Sequence, residues 1–210
     1  MIIEVCAESY EYAVKAEKAG ADRVELCKDL YLDGLTPDYE SAKRTIASLN
    51  IPVFILIRPR KGDFIYSNKE FELMKNDIVK FKEMGCKGIV SGVLNEDNSI
   101  DIKRTKELVE LSKPLEFTFH RAFDIVSDPL KEIENLIEIG VNRVLTSGQK
   151  DSAIKGLKLL EDLQKKVKND MLIMPGGGIN VLNIDSFRNF SEIHGSFKGS
   201  NINQSLQKIK

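Results

Sequence analysis

The chain has 210 residues, 42% hydrophobic and 30% charged, which is enough apolar material for a packed core and rules out a disordered or fibrous protein. A formal net charge of −1 and a pI near 6.2 leave no basic footprint for nucleic acid or an anionic membrane, so a small-molecule partner is expected. No apolar run reaches membrane-spanning length, the N-terminus enters a strand without a basic signal region, and three cysteines argue against a disulfide framework; reduced thiols and a cytoplasmic location follow as expectations.

Ile2 to Cys6 and Arg23 to Cys27 read as strands that both finish as Glu-x-Cys. Between them, Tyr12, Ala13, Ala16 and Ala19 recur at helical spacing over Glu8 to Ala19, and Gly20 stands where a helix end favours a left-handed residue. A crossover of this kind lays the two strands side by side in parallel. Alternation then puts Glu4 on a face with Cys6 and Glu25 on a face with Cys27, crowding two carboxylates and two thiols into one place. Lys28 to Thr36 is a loop with a turn at Asp33 and Gly34, and Thr36 with Pro37 has the form of an N-cap and first helical residue for a helix to about Leu49. Pro52 to Arg58 is a nearly continuous apolar run, the pattern of a strand covered on both faces in a parallel sheet, and a charged loop to Asp63 follows it.

Ser67 and Glu70 have capping-box spacing ahead of Phe71, Met74, Ile78 and Phe81, an amphipathic helix closed by Gly85. Gly88 to Gly92 is a strand, Asp101 to Ser112 a helix, and Leu115 to His120 a strand leading into Arg121 to Asp124. Asp128 and Pro129 start a helix striped by Leu130, Ile133, Leu136 and Ile137; Asn142 to Thr146 is the next strand, and the charged segment Asp151 to Asn169 is expected as one helix with a solvated lysine face. Met171 to Pro175 is a strand running into Gly176, Gly177 and Gly178, Asn180 is placed to cap a helix to about Phe190, and Ser191 to His194 is a last strand before a polar tail over about 200–210.

Eight strands, seven of them followed by a helix, with similar helix-to-strand junctions at Ala19 to Val24, Met84 to Ile89 and Ile139 to Val144, suit a closed barrel or an open doubly wound sheet. Charged residues inside the strands favour the barrel. The expected fold is therefore α/β, a compact single-domain TIM (β/α)8 barrel over 1–210, working at the C-terminal ends of its strands.

Cys6 and Cys27 end adjacent strands, and two neighbouring thiolates suit a soft cation such as Cu(I); the alternative is packing as small hydrophobes. Cys86 falls at the opposite end and is expected to be structural. Glu4 and Glu25 need a counter-charge, for which Arg58 is the expected partner. His120 is a candidate proton shuttle or metal ligand, and Arg121 with Asp124 can equally form a loop ion pair. Taken as catalytic, Glu25, Arg58, His120 and Asp124 would supply acid–base chemistry and charge stabilisation; taken blandly, they are a structural ion network. No lysine stands where a Schiff base would form. Gly176, Gly177, Gly178 and Ser196, with Gly148, form an expected grip for a small phosphorylated or carboxylated metabolite, unless the glycines only turn a corner.

Assembled, these residues resemble the CutC family, often called copper homeostasis proteins. The matching segments are Glu4 to Ser9, Gly20 to Cys27, Gly34 to Pro37, Ile57 to Arg60 with Gly62 to Phe64, Phe117 to Asp124, Arg143 to Gly148, Met174 to Ile179 and His194 to Ser196, in a resemblance running from Ile3 to about Lys198. The resemblance implies a TIM-like barrel, a cytoplasmic location, an oligomeric and often dimeric state, Cu(I) held by the cysteines matching Cys6 and Cys27, and no organic cofactor. Asp33 departs from the family pattern where a second glycine is usual, and Lys28 replaces a small residue. The function expected first is Cu(I) binding in copper homeostasis; the second is lyase- or isomerase-type acid–base chemistry on a small anionic metabolite.

Overall fold

Strands and helices alternate through the computed structural model, which describes residues 1–197 together with Ile202 and Leu206. They are β1 (Ile2–Ala7), α1 (Tyr10–Ala19), β2 (Arg23–Leu26), α2 (Tyr39–Ser48), β3 (Val53–Leu56), α3 (Asn68–Glu83), β4 (Gly88–Ser91), α4 (Ile102–Ser112), β5 (Glu116–Phe119), α5 (Pro129–Glu138), β6 (Arg143–Thr146), α6 (Leu157–Val167), β7 (Leu172–Pro175) and β8 (Glu192–Gly195). The strands pair in parallel in the order β7-β6-β5-β4-β3-β2-β1-β8, and a single bridge between Gly176 and His194 joins the two ends. The expected barrel is therefore the observed one. Its seam is thin for a local reason. Leu172 and Gly176 donate their N–H groups to β6, so the alternate position that would donate toward β8 falls on Pro175, which has no N–H.

Alternation along each strand sorts the side chains into two shells. Val5, Val24, Ile55, Ile89, Phe117, Val144, Ile173 and Ile193 point outward into the core shared with the helices, while Cys6, Phe54, Leu56 and Val90 point into the barrel. Below the mouth the interior is filled by a charged layer. Arg23 donates to Glu4 at 2.5 Å and to Glu192 at 2.5 Å, and Arg143 donates to Glu192 at 2.8 Å, Glu116 at 2.6 Å and Thr118 at 3.3 Å. The Phe54 ring packs against both guanidinium groups, its centroid 4.6 Å from that of Arg23 and 5.2 Å from that of Arg143. It fits because Gly88, its register partner on β4, leaves the space a Cβ would take.

Local chemistry places most elements where the pattern predicts. Ser67 and Glu70 form the capping box of α3, and Asp128 caps α5 with Pro129 in its first turn. Four expectations are corrected. Thr36 does not cap α2, because its N–H and hydroxyl are tied to the Arg58 backbone; Asp38 holds the N-cap position. The helix expected from Asp151 begins only at Leu157, because Ala153 donates to Gly177 and the preceding turn brings Gly156 against Gly148. The helix expected after Asn180 is a short 3-10 turn, Ile184–Phe187, since the Asn180 and Asn183 amides are spent on the Gly178 carbonyl. Most of the polar tail lies outside the described residues, but Ile202 and Leu206 are helical and Leu206 is buried in the core.

Candidate active site at the barrel mouth

The strand ends open into a cavity of about 640 Å³. Cys6, Glu25, Arg58, His120, Arg121, Asp124, Gly177, Gly178, His194 and Ser196 line it. Cys27 does not. It is 1% exposed and borders a smaller outer pocket of about 360 Å³, so the thiol pair stands in the wall between the two. Lys28, in that outer pocket, is paired with Asp38 at 2.9 Å. Asp33 takes a left-handed backbone with φ of 64°, a conformation that glycine adopts freely and that aspartate tolerates.

On the β1, β2 and β8 side, register decides the contacts. Glu4 lies opposite both Arg23 and His194, and Cys6 lies opposite Glu25. Cys6 Sγ is 3.6 Å from Cys27 Sγ and donates to Glu25 Oε1 at 3.9 Å; His194 Nδ1 is 2.8 Å from Glu4 Oε1 and 3.9 Å from Glu25 Oε2. The expected pairing of Arg58 with these acids is overturned: Arg23, one layer lower, neutralises Glu4, while Arg58 stands past the end of β3 at loop height. Burial alone would raise Glu4, but the Arg23 charge, the His194 hydrogen bond and Arg143 bring it down to about 2. Glu25 keeps the penalty. Burial, reinforced by Glu4 and opposed by His194 and Arg23, leaves it at about 7. Burial works against the His194 imidazolium, yet Glu25 and Glu4 hold its pKa above the usual value. The hydrogen bond with Cys27, burial and the nearby carboxylates keep Cys6 a thiol.

On the β3 and β5 side stand two buried nitrogen groups without a carboxylate. Arg58, 4% exposed, donates Nη1 to the carbonyls of Leu32 and Gly34 and Nη2 to that of Gly62, and its Nε has no partner. His120 Nδ1 accepts the Ala122 N–H at 3.3 Å, which puts the proton on Nε2, and that nitrogen is unpartnered as well. Burial and the Arg58 charge hold the His120 pKa down at about 3, so the imidazole is kept in its neutral form near pH 7. With Glu25 Oε2, these make up three of the five buried side-chain polar atoms that lack a partner among the described residues. The three residues line one cavity, and these three atoms lie buried in its wall.

At β6 and β7, Arg121 Nε donates to Asp124 at 2.8 Å and its Nη2 to Ser147 at 3.2 Å. Asp124 is fully engaged, accepting also from Thr146 Oγ1 at 2.5 Å, Ser147 N at 2.9 Å and Gln149 N at 3.3 Å, so it positions Arg121 and is no free acid. Gly177, at φ of 104°, lies against that guanidinium: a Cβ there would stand 3.7 Å from Arg121 Cζ and 3.2 Å from Ser147 Cβ. The N–H groups of Gly177, Gly178 and Ile179 donate to none of the described residues, whereas those of Gly176 and Gly148 are spent on Thr146. The expected glycine grip thus narrows to residues 177–179 beside Ser196. Sequence reasoning did not single out His194, Arg23 or Glu192 as site or support residues. The one signal for them was a charged or imidazole side chain on inward positions of otherwise apolar strands.

Cys6, Glu25 and His194 also bring ligand atoms within 4.8 Å of one another, a set in which Cys27 plays no part. A parallel eight-stranded barrel whose strand ends carry a polar, small-molecule-sized cavity makes this a TIM-barrel protein with its site in the usual place for the fold. Residues 1–199 match the model of the CutC family, and the chain belongs to that family. It is 47% identical over 183 residues to a human protein named copper homeostasis protein cutC homolog, a match covering 87% of this chain and 67% of the human one. It is 42% identical over 207 residues to a family protein CutC of Pasteurella multocida, covering 97% and 85% of the two chains. A crystal structure of a CutC from Streptococcus agalactiae superposes with a TM-score of 0.88 at 32% identity, covering 93% and 98%. An aldolase, QR15, shares the barrel fold alone, at 16% identity and a TM-score of 0.69. No helix among the described residues is long and apolar enough to cross a membrane.

Proposed function

We propose that the barrel mouth binds a small phosphorylated or carboxylated metabolite and exchanges protons with it. The observation that carries this is Arg58. It is buried, it cannot lose its proton, and among the described residues no carboxylate lies within salt-bridge distance of it. A buried cation that meets only carbonyls and the Phe64 ring, 5.0 Å from its centroid, is costly, and an anion in the cavity removes that cost. The free amides of residues 177–179 and the Arg121 guanidinium offer a second anion contact, and Glu25, titrating near neutrality, offers the proton exchange. Titration calorimetry with inorganic phosphate, sulfate and citrate tests the binding. One of them is expected to bind the wild-type chain and to bind Arg58→Met at least tenfold more weakly, about 1.4 kcal/mol. Absence of binding by all three, or affinity indifferent to Arg58, refutes the proposal.

A second reading has its own support. The Sγ atoms of Cys6 and Cys27 are 3.6 Å apart at the end of the barrel, and relatives carry the name copper homeostasis protein. A monovalent soft cation between them would supply the charge that the raised Cys6 pKa otherwise withholds from a thiolate. Stoichiometric Cu(I) capture in competition with a cuprous chelator, lost in the Cys6→Ser/Cys27→Ser double variant, is the expected result; equal capture by the variant refutes it. A cytoplasmic setting suits three free cysteines, and the homodimer implied by the family is checked by light scattering on the purified chain.

A further inference from the structure

We infer that the ligand of the barrel mouth is a phosphate monoester with an apolar body, its head held in the glycine corner after β7 and its body laid across the mouth onto Leu30 and Leu56. This rests on the small-anion reading and names its substrate class.

A cavity of about 640 Å³ is in the range that encloses a whole organic ligand, and a bare phosphate would leave most of it to water. Much of its wall is apolar: Leu30, Leu56, Phe64, Ile125, Leu145 and Phe197 line it together with the charged groups. Ile125, on the loop after β5, is 46% exposed as well. The two most exposed large apolar side chains among the described residues, Leu182 at 93% and Tyr31 at 81%, stand on loops of the same face, after β7 and β2. Apolar surface gathered at the rim of a cavity marks a place where an apolar partner is received. Topology sets its direction. In a closed ring of eight strands in this order, β7 stands opposite β3. Gly177 to Ile179 follow β7, whereas Leu56 ends β3, and Leu30, in the turn after β2, packs on the cluster that holds Leu56 and Cys6. An anion seated at the corner therefore presents whatever it carries to an apolar wall across the mouth.

The corner suits a head with three acceptor oxygens. The Gly177 carbonyl accepts from the Ala153 N–H at 2.8 Å, and the Gly178 carbonyl accepts from the Asn180 and Asn183 side-chain amides at 3.1 and 2.9 Å. Because the C=O and N–H of a trans peptide point opposite ways, these bonds turn the Gly178 and Ile179 N–H groups away from the groups that hold the carbonyls. With the Gly177 N–H they are three consecutive amides that donate to none of the described residues. The Arg121 guanidinium lies against Gly177, and its Nη1, unlike its Nε and Nη2, has no partner among those residues either. A carboxylate offers two oxygens to such a set, and a phosphate monoester offers three.

The test is titration calorimetry on the intact chain with methyl, propyl and hexyl phosphate, and with glycerol phosphate, which matches propyl phosphate in length but carries hydroxyls. A fully buried methylene is worth about fourfold in affinity, so hexyl phosphate is expected to bind at least about thirtyfold more tightly than methyl phosphate, and propyl phosphate more tightly than glycerol phosphate. Leu30→Ser is expected to cut the hexyl-to-methyl ratio by at least about fivefold. Gly177→Ala weakens both esters by the same factor and leaves their ratio in place. Should Leu30→Ser fail to fold, proton NMR of the wild-type complex reads the same point, through contacts between the hexyl chain and the methyl groups of Leu30 and Leu56. Methyl phosphate binding with no gain for the longer chains, an equal gain for glycerol phosphate, or a hexyl chain without contacts to those leucines overturns the inference while sparing the anion site. Failure of every probe to bind overturns the anion site and the inference with it.

Discussion

Replacing Glu25 by glutamine should make the protein more stable at alkaline pH. The carboxyl is almost fully buried and titrates at about 7 against an ordinary 4.5. The groups facing it are Glu4 and Cys6 on β1, Arg23 and Cys27 around β2, and His194 on β8. Because its folded pKa is raised, the native state holds this proton more tightly than the unfolded chain does. Its stabilising contribution is complete below about 4.5, declines between about 4.5 and 7, and is gone above. A gap of about 2.5 in pKa is worth about 3 kcal/mol. Glutamine keeps an oxygen for the Cys6 thiol and never ionises. His194, which owes part of its raised pKa to Glu25, will release its proton at lower pH in the variant, and this trims the net effect toward about 2 kcal/mol. Guanidinium denaturation at pH 5 and at pH 8.5 measures it. The stability difference between Glu25→Gln and the parent should shift in the variant's favour by about 2 to 3 kcal/mol between the two conditions. A difference independent of pH would refute the claim that Glu25 is buried without adequate compensation.

Gly88→Ala should cost about 1 to 3 kcal/mol in thermal or denaturant unfolding, because the added Cβ overlaps the Phe54 ring packed against two guanidinium groups; an unchanged midpoint would show that the ring is free to move. Arg143→Met leaves Glu192 to Arg23 alone and strips Glu116 of its partner, for a loss of about 3 to 5 kcal/mol, measured by denaturant unfolding at pH 7 and shrinking as the pH falls and the acids protonate. Gly177→Ala forces a side chain into φ of 104° against Ser147 and Arg121, so phosphate affinity should fall at least tenfold while thermal stability drops only by about 1 to 2 kcal/mol; equal affinity would remove the corner from the anion site.

Much of the fold is legible from the residues because it is encoded locally. Alternating and continuous apolar runs mark the strands, capping groups such as Ser67 and Asp128 mark helix starts, and closure into a barrel follows from charge inside strands that are otherwise apolar. Where local signals failed, a distant partner had claimed the group: Thr36 is held by β3 and not by the helix it precedes, and Asn180 is held by the Gly178 carbonyl. The site was legible as a list. Cys6, Glu25, Arg58, His120, Arg121, Asp124, Gly177 and Ser196 do meet at one cavity.

Roles within that list are another matter, since they depend on which residue faces which across the barrel. Composition and periodicity determined that acids, guanidinium groups, an imidazole and thiols would collect at the strand ends. Only the register decided that Glu4 meets Arg23 and His194, leaving Glu25 short of counter-charge and Arg58 with carbonyls and the Phe64 ring. Only the packing of Phe64, Phe119 and Gly92 around His120, with the Ala122 N–H on its Nδ1, decided that this ring is buried and held neutral. The reason is that a side chain's charge state is set by neighbours within a few ångströms, and in a closed barrel those neighbours come from strands as far apart in the chain as the first and the last.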